Sequence, residues 1–342
     1  MLYFNYYNGV NMASKKIKKI ATWIVVPLMV AIFVLDIVTV VVGNRYAKSY
    51  MPEKENASAP LSDDQIHFLN TANSDCILLE SNGHYALIDS GEGSNNPRRK
   101  NEYSGFEETV INYLKKAAAS SDGKVYLDFI LGTHYHYDHI GCFNSIINDD
   151  DIIIEKAYFK KFNPAMEGKV EGNWEIEEEY NKIISSLSKK NIEIIENIPT
   201  EMSFGDFELE LFNTGYYEDL EGKGENSASI GIKVIKGNKS AFLSSDITAP
   251  SGVEDKVQEA VGHCDLLKIG HHGYYGSSSM EFLDYLTPSV AIVTNRQGKV
   301  YPNVKWNLTM HAKIPFYGTY DYNGIIASFT DSGDIKLTCD IH

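Results

Sequence analysis

Residues 127–132 read Leu127-Asp128-Phe129-Ile130-Leu131-Gly132, and the next nine read Thr133-His134-Tyr135-His136-Tyr137-Asp138-His139-Ile140-Gly141. The first stretch is a short apolar run closed by a glycine, which is the pattern of a buried strand. The second places four metal-type side chains, His134, His136, Asp138 and His139, within six residues at the end of that strand. Imidazoles and carboxylates collected beside a core need a partner to offset their desolvation, and this mixture of donors is one that divalent cations take. In a turn that follows a strand, His134 and His136 project to one side, while Asp138 and His139 reach a second point nearby. Two adjacent metal positions are therefore expected. A polar loop of solvated histidines is the competing reading, and it leaves the density of ligand types unexplained.

One loop cannot close two coordination spheres, and the chain offers two further candidates. Ala241-Phe242-Leu243-Ser244-Ser245 runs into Asp246, and Asp265-Leu266-Leu267-Lys268-Ile269-Gly270 runs into His271-His272-Gly273. Both again sit at strand ends. A carboxylate between two cations can bridge them, and an imidazole can complete the second sphere. Taken alone, Asp246 followed by Thr248 and Pro250 also suits a helix cap.

Further out, apolar runs separated by turn residues predict strands at 66–70, 76–80, 85–89, 127–132, 152–159, 207–212, 230–235, 240–244, 266–269, 290–293, 324–329 and 335–339. Helical spacing appears at 106–118, 174–188, 253–261, 279–286 and 303–312. A hairpin-like group of strands comes first and strands alternate with helices later, so the class is a mixed, layered α/β (α+β) domain over 62–342.

Residues 20–42 form a run of 23 residues broken only by Pro27, Asp36 and two threonines, long enough to span a bilayer. Four lysines (Lys15, Lys16, Lys18, Lys19) precede it, and the more positive flank stays in the cytoplasm. The expected organisation is a cytoplasmic tail at 1–19, a transmembrane signal anchor at 20–42, a polar linker at 43–61 and a domain at 62–342 facing outside the cell. A cleaved signal peptide and a buried helix are the alternatives, and Met12 is a better-placed start than Met1.

The net charge of -15 conceals an asymmetry. Residues 1–50 hold six basic residues against one acidic residue, leaving 25 basic against 45 acidic in the remainder, a net of -20. Such a surface repels polyanions and argues against nucleic acid as a partner. Four cysteines without a CxxC pair do not make a disulfide framework and read as small buried apolar residues.

Five stretches in this order, IHFLNTANSDCILLESNGHYALIDSG (66–91), THYHYDHIG (133–141), ENSASIGI (225–232), SAFLSSDI (240–247) and LLKIGHHG (266–273), resemble the metallo-β-lactamase-fold hydrolases, in particular the branch that contains the metal-dependent domain of the competence protein ComEC. The likeness runs from about Ile66 to the C-terminus. Within the branch the chain looks most like phosphorylcholine esterases, sharing FILGTHYHYDHIG, a Tyr/Trp-rich insertion (Tyr158, Trp174, Tyr180), ENSAS before a strand and the paired histidine. The resemblance implies a four-layer αββα sandwich with the metal site along one edge of its sheets. It implies a first metal held by His134, His136 and Asp246, and a second held by Asp138, His139, Asp246 and His272. Asp89 would support the histidine loop, Asn226 would be an outer partner, and His271 would either contact the phosphate or protonate the leaving group, or be a structural neighbour of the ligand beside it. Many relatives carry a further histidine between the loop and the bridging aspartate, whereas residues 140–262 contain none.

Two divalent ions in such a site lower the pKa of a shared water toward ~7 and stabilise charge on a phosphoryl oxygen. Zn²⁺ suits the donors, and Mn²⁺ or Fe also fits. Tyr135, Tyr137, Tyr274 and Tyr275 flank the motifs; most tyrosines are packing residues with a satisfied hydroxyl, and the other reading is that Tyr or Trp faces, with Trp174 and Trp306 as further candidates, attract a quaternary ammonium such as choline. The expected function is a membrane-anchored phosphodiesterase acting on a small or polymer-borne phosphoester. A ComEC-like DNA nuclease and a non-catalytic, metal-stabilised binding domain are the alternatives. A β-lactamase does not follow from the fold.

Overall fold

The computed structural model describes residues 23–31, 33–34, 52–54, 62–97, 105–164, 175–216 and 224–342. Strand β3 (Ile77–Ser81) shows why the chain forms layers. Successive side chains of a strand point to opposite faces. Ile77 and Leu79 enter one apolar cluster and Leu78 enters another. The split repeats in β4 (His84–Ile88), with Ala86 and Ile88 against Leu87, and in β5 (Val125–Leu131), with Phe129 and Leu131 against Leu127 and Ile130. A strand apolar on both faces needs cover on both. Each fully buried Leu, Ile or Phe contributes about 1.5–3 kcal/mol toward that arrangement.

Among the described residues, one sheet has nine strands in the order β1 (Glu53–Lys54), β16 (Ile335–Cys339), β15 (Ile325–Phe329), β2 (Asp64–Phe68), β3, β4, β5, β6 (Ile152–Tyr158) and β7 (Glu193–Ile195). The other has seven, in the order β14 (Phe316–Gly318), β13 (Val290–Val293), β12 (Leu266–Lys268), β11 (Lys239–Leu243), β10 (Gly231–Lys236), β9 (Phe207–Phe212) and β8 (Glu201–Phe204). Ile66, Phe68, Leu79 and Leu131 of the first sheet share one buried cluster with Leu209, Ile232, Leu243 and Ile292 of the second.

Helices α2 (Glu107–Ala117), α4 (Phe143–Asn148) and α5 (Ile176–Lys189) cover the outer face of the nine-stranded sheet through residues such as Leu114, Ile146 and Ile183. Helices α6 (Val253–Val261), α7 (Met280–Leu286) and α8 (Pro302–Trp306) cover the other through Val257, Phe282 and Val304. The layers are therefore αββα.

The expected strands all appear, shifted by at most two residues at either end. Strands β1, β7, β8 and β14 were not legible because two to four residues carry too little periodicity. Within the stretch expected to be a linker, Glu53 and Lys54 instead pair in parallel with Thr338 and Cys339. Backbone hydrogen bonding of this kind needs no apolar pattern. The helix expected at 303–312 is α8 followed by a wider turn at Asn307–His311. The four cysteines are buried and free, as expected of small apolar residues.

The N-terminal residues form a separate unit, 1–49. Its described residues, 23–31 and 33–34, are helical (α1) and expose Trp23, Leu28 and Phe33. Among the described residues no helix is long and apolar enough to cross a membrane, so the expected span over 20–42 is not displayed; the remainder of that stretch and the tail at 1–19 lie outside the described residues.

Strands β4, β5, β6 and β7 run parallel, as do β11, β12, β13 and β14. Asp89 follows β4, the histidine loop follows β5, Asp246 follows β11 and His272 follows β12. Carboxyl ends of parallel strands are where open α/β sheets place their ligands.

Candidate metal centre

After β5 the chain turns through Thr133 into the four-residue helix α3 (Tyr137–Ile140), which carries Asp138 and His139. Two anchors fix this loop. The His139 carbonyl accepts from the Ser90 backbone N–H at 2.6 Å and from its hydroxyl at 3.0 Å. Gly141 packs so closely on Gly93 that a Cβ there would lie 2.3 Å from the Gly93 nitrogen. Asp89, Ser245, His271 and His272 all have positive φ, at 54°, 47°, 47° and 49°. Non-glycine residues in this region store strain, and such residues concentrate at functional sites.

The structure brings together the ligand-type side chains of three loops. One nitrogen or oxygen from each of His134, His136 and Asp246 lies within 4.8 Å of the others, and the same holds for Asp138, His139 and His272. Asp246 stands between the two groups. Its Oδ2 is 3.7 Å from His134 Nε2, and its Oδ1 is 3.2 Å from His139 Nε2 and 3.4 Å from His272 Nε2. His272 Nε2 is also 3.4 Å from Asp138 Oδ2 and 3.2 Å from His139 Nε2. His134 Nε2 lies 3.2 Å from His136 Nδ1.

The ring nitrogens at the back of the site establish what the front can do. His139 Nδ1 is 2.7 Å from Asp89 Oδ2, so it carries a proton and donates it. Asp89 also accepts from the Thr133 N–H at 2.8 Å and from the Thr133 hydroxyl at 2.7 Å. When the ring is neutral, its Nε2 is then a lone pair facing the other imidazoles and carboxylates. Asp246 Oδ1 is buried without a well-aligned donor despite the two nearby nitrogens. Lone pairs and carboxylate oxygens converging in a buried space fit a cation, and the donor set fits divalent metals.

The electrostatics agree. Burial pushes the Asp246 carboxyl up, but His272, His139 and His271 together hold it well below the ordinary range. Burial opposes protonation of His272, yet Asp246 and Asp75 outweigh it and raise this imidazole to about 9. His139 is likewise raised well above its ordinary value, because Asp246 and Asp89 overcome burial. His134 is pushed well down by burial and by His139, with Asp246 opposing. Protons would therefore occupy His139 and His272 and leave His134 neutral.

Two expected residues, His271 and Asn226, sit at the margin. His271 Nε2 is 4.0 Å from Asp246 Oδ2, and its side chain is 30% exposed. Asn226 lies in the helical turn Glu225–Ala228, and its Oδ1 is buried without a partner. That turn docks on the histidine loop, where Tyr135 N–H donates to Glu225 Oε1 at 3.1 Å. Tyr135 and Tyr137 are 1% exposed and their hydroxyls donate to the carbonyls of Lys160 and Glu175, so they are packing residues and cannot face a ligand. Tyr180 packs on Tyr135, and Tyr158 on Phe129. Trp306 is exposed on α8, and Trp174 lies outside the described residues. Tyr274 remains beside His271, with ring centroids 5.5 Å apart, and joins Tyr301 and Tyr275 at the rim.

Sequence reasoning overlooked the residues behind the imidazoles. Asp75, Lys268 and Thr294 are fully buried next to His272, and Ser245 and Thr133 share a 2.7 Å hydroxyl contact behind His134. A charged pair inside otherwise apolar strand-end motifs, Asp75 in NSDCILL and Lys268 in DLLKIG, was the available signal.

Comparison with known proteins agrees with this geometry. Residues 69–236 match the family model described as Metallo-beta-lactamase superfamily. ComE operon protein 3 of Bacillus subtilis (strain 168) is 24% identical over 278 residues, covering 74% of this chain and 32% of the relative, so the chain spans about a third of that protein's length. Among solved structures, the metallo-beta-lactamase fold protein YhfI from Bacillus subtilis aligns with a TM-score of 0.47 at 11% identity, over 77% of this chain and 99% of the other. CmlA, a diiron beta-hydroxylase from Streptomyces venezuelae, aligns with a TM-score of 0.41 at 16% identity, over 69% and 45%. With two sheets between helical layers, a histidine loop braced by Asp89 and the family match over residues 69–236, this chain has the metallo-beta-lactamase fold.

Proposed function

We propose that this chain is a metal-dependent phosphodiesterase held at the outer face of a cell membrane, removing a phosphoester such as phosphorylcholine from a cell-surface polymer. The observation that carries the hydrolase reading is the position of Asp246, whose two carboxylate oxygens face two separate groups of ligand-type side chains. His134, His136 and Asp246 would hold one divalent ion, and Asp138, His139, His272 and Asp246 the other. Zn²⁺ suits these donors, and Mn²⁺ or Fe fits as well. Such a pair supplies Lewis acidity toward a phosphoryl oxygen and a water acidic enough to react near neutral pH.

The chain's own residues supply the rest. Asp246 and Asp138 keep negative charge at the site and so hold the ions. His271 has a side chain 30% exposed, whereas those of His134, His139 and His272 are 0% exposed. It is therefore placed to meet the phosphate or deliver a proton to the leaving alcohol. Tyr274, Tyr275 and Tyr301 offer aromatic faces beside it, which supports a choline-bearing substrate. The anchor rests on the apolar run at 20–42, its lysine flank and the exposed apolar residues of α1.

The test is a substrate panel on zinc- and manganese-loaded protein, comprising bis-(p-nitrophenyl) phosphate, p-nitrophenyl phosphorylcholine, single-stranded DNA and a β-lactam. Turnover of the diesters, with phosphorylcholine foremost, is expected. A metal-loaded chain inert toward every diester, whose melting temperature falls on chelation, would establish the binding-domain alternative instead.

A further inference from the structure

His139 is braced by Asp89, and His272 has a brace of its own built from residues that no motif singled out. Asp75 lies on the loop before β3, Lys268 ends β12 and Thr294 follows β13. All three are buried, with Lys268 and Thr294 at 0% exposure and Asp75 at 1%. Lys268 Nζ forms an ion pair with Asp75 Oδ2 and also donates to the Ser245 carbonyl at 2.9 Å. Thr294 Oγ1 is 2.5 Å from Asp75 Oδ1. A carboxylate paired to an ammonium only accepts, so the single hydroxyl proton of Thr294 goes to Asp75. The lone pairs of that hydroxyl then face His272 Nδ1 at 3.1 Å, and Asp75 Oδ1 faces the same nitrogen at 3.3 Å. With acceptors on that side alone, Nδ1 must donate, so the neutral ring presents its Nε2 lone pair to Asp138, His139 and Asp246.

Asp75 also groups spatially with His139 and Asp246 as a third set of ligand types. It is not placed as a ligand. Its approach to His139 is toward Nδ1, at 3.9 Å, and that nitrogen already donates to Asp89 at 2.7 Å. Asp75 therefore stands behind the rings, on the side away from the converging Nε2 atoms.

Building on the metal-centre reading above, we propose that Asp75, Thr294 and Lys268 are positioning residues that fix the tautomer and orientation of His272 for the second ion. Lys268 further couples that brace to Asp246, because the carbonyl it grips belongs to Ser245, the residue just before the shared carboxylate. Removal of such outer partners weakens metal binding by about 10–100-fold in comparable sites.

The experiment is zinc titration of the full chain against a chromophoric chelator, with the step that disappears in Asp138→Asn assigned to the second ion. Thr294→Val and Asp75→Asn are expected to weaken that step about 10–100-fold and to leave the other step within about threefold, and Thr294→Ser is expected to restore it. Lys268→Met is expected to weaken both steps. If Lys268→Met does not fold, Thr294→Val, which retains the side-chain shape, decides the matter. Affinity at the second step within about threefold of wild type in both Thr294→Val and Asp75→Asn overturns the proposal. A wild-type chain that binds no zinc overturns it together with the metal-centre reading. Two bound zinc ions with the expected losses but no diester turnover leave this proposal standing and overturn only the phosphodiesterase reading.

Discussion

The two halves of the candidate centre both draw ligands from the histidine loop, but they are braced very differently. Behind the Asp138, His139 and His272 group stand two buried carboxylates, Asp89 at 2.7 Å from His139 Nδ1 and Asp75 at 3.3 Å from His272 Nδ1. Behind His134, among the described residues, stand two hydroxyls, Thr133 Oγ1 at 3.2 Å and Ser245 Oγ at 3.4 Å from its Nδ1. Carboxylate partners raise the basicity of an imidazole and hold its orientation more firmly than hydroxyls do. The first group also holds only two imidazoles and the shared carboxylate, since residues 140–262 contribute no histidine. The comparison teaches that the half with the fewer ligands also rests its His134 on hydroxyls where the other half rests its imidazoles on carboxylates. An ion there should be the more readily lost.

The largest effect is expected where the comparison breaks down, at the residue common to both halves. Asp246→Ala should lower the metal content below one ion per chain and reduce turnover by more than the ~100-fold typical of outer-partner losses. Metal analysis by plasma mass spectrometry beside the diester assay reads both. Retention of two ions would remove Asp246 from the centre.

Next come the braces. Asp89→Asn should weaken the second ion about 10–100-fold, whereas Thr133→Val, which loses a hydroxyl contact to His134 as well as one to Asp89, should weaken the first ion by less. Dialysis against graded chelator should strip the His134–His136 ion first in the wild type. An inverted order would show that bracing does not set occupancy.

The two halves should also differ in protons. At pH 7 the metal-free His139 and His272 are held protonated by the carboxylates around them, with His272 at about 9, while burial and His139 keep His134 neutral. Ligands must be deprotonated to bind. Loading the second group should therefore release more protons than loading the first, as measured by calorimetry in buffers of different ionisation enthalpy. Equal release at both steps would contradict the assignment.

The smallest effect is on stability. His272 has its pKa raised from 6.5 to about 9 in the folded, metal-free chain, so the stability it contributes is complete below about 6.5 and is lost as pH rises through about 9. The melting temperature of the metal-free protein should decline across that window, and that of the zinc-loaded protein should not. A flat metal-free profile would indicate that His272 is not charged there.

Much of this was legible in the sequence, for identifiable reasons. The strands at 207–212 and 335–339 agree to the residue because apolar and polar residues alternate along them, and 290–293 does because a fully buried strand is a continuous apolar run. The histidine loop stood out because its ligand types are dense. Two features were hidden. The braces behind His272 come from two loops and a strand end, and their meeting depends on β12 lying beside β13 in one sheet while β3 belongs to the other, which no spacing encodes. Tyr135 and Tyr137 looked available for a ligand because their neighbours are ligand types. The alternation that turns His134 and His136 inward sends Tyr135 into the outer core, onto Phe159 and Phe162.

Anomalous diffraction at the zinc edge from crystals of the zinc-loaded chain tests the central claim most directly. The account predicts two peaks on either side of the Asp246 carboxylate, one among His134 and His136, the other among Asp138, His139 and His272, with the first the weaker. A map with no peak beside Asp246, or with a single peak remote from these imidazoles, would contradict it.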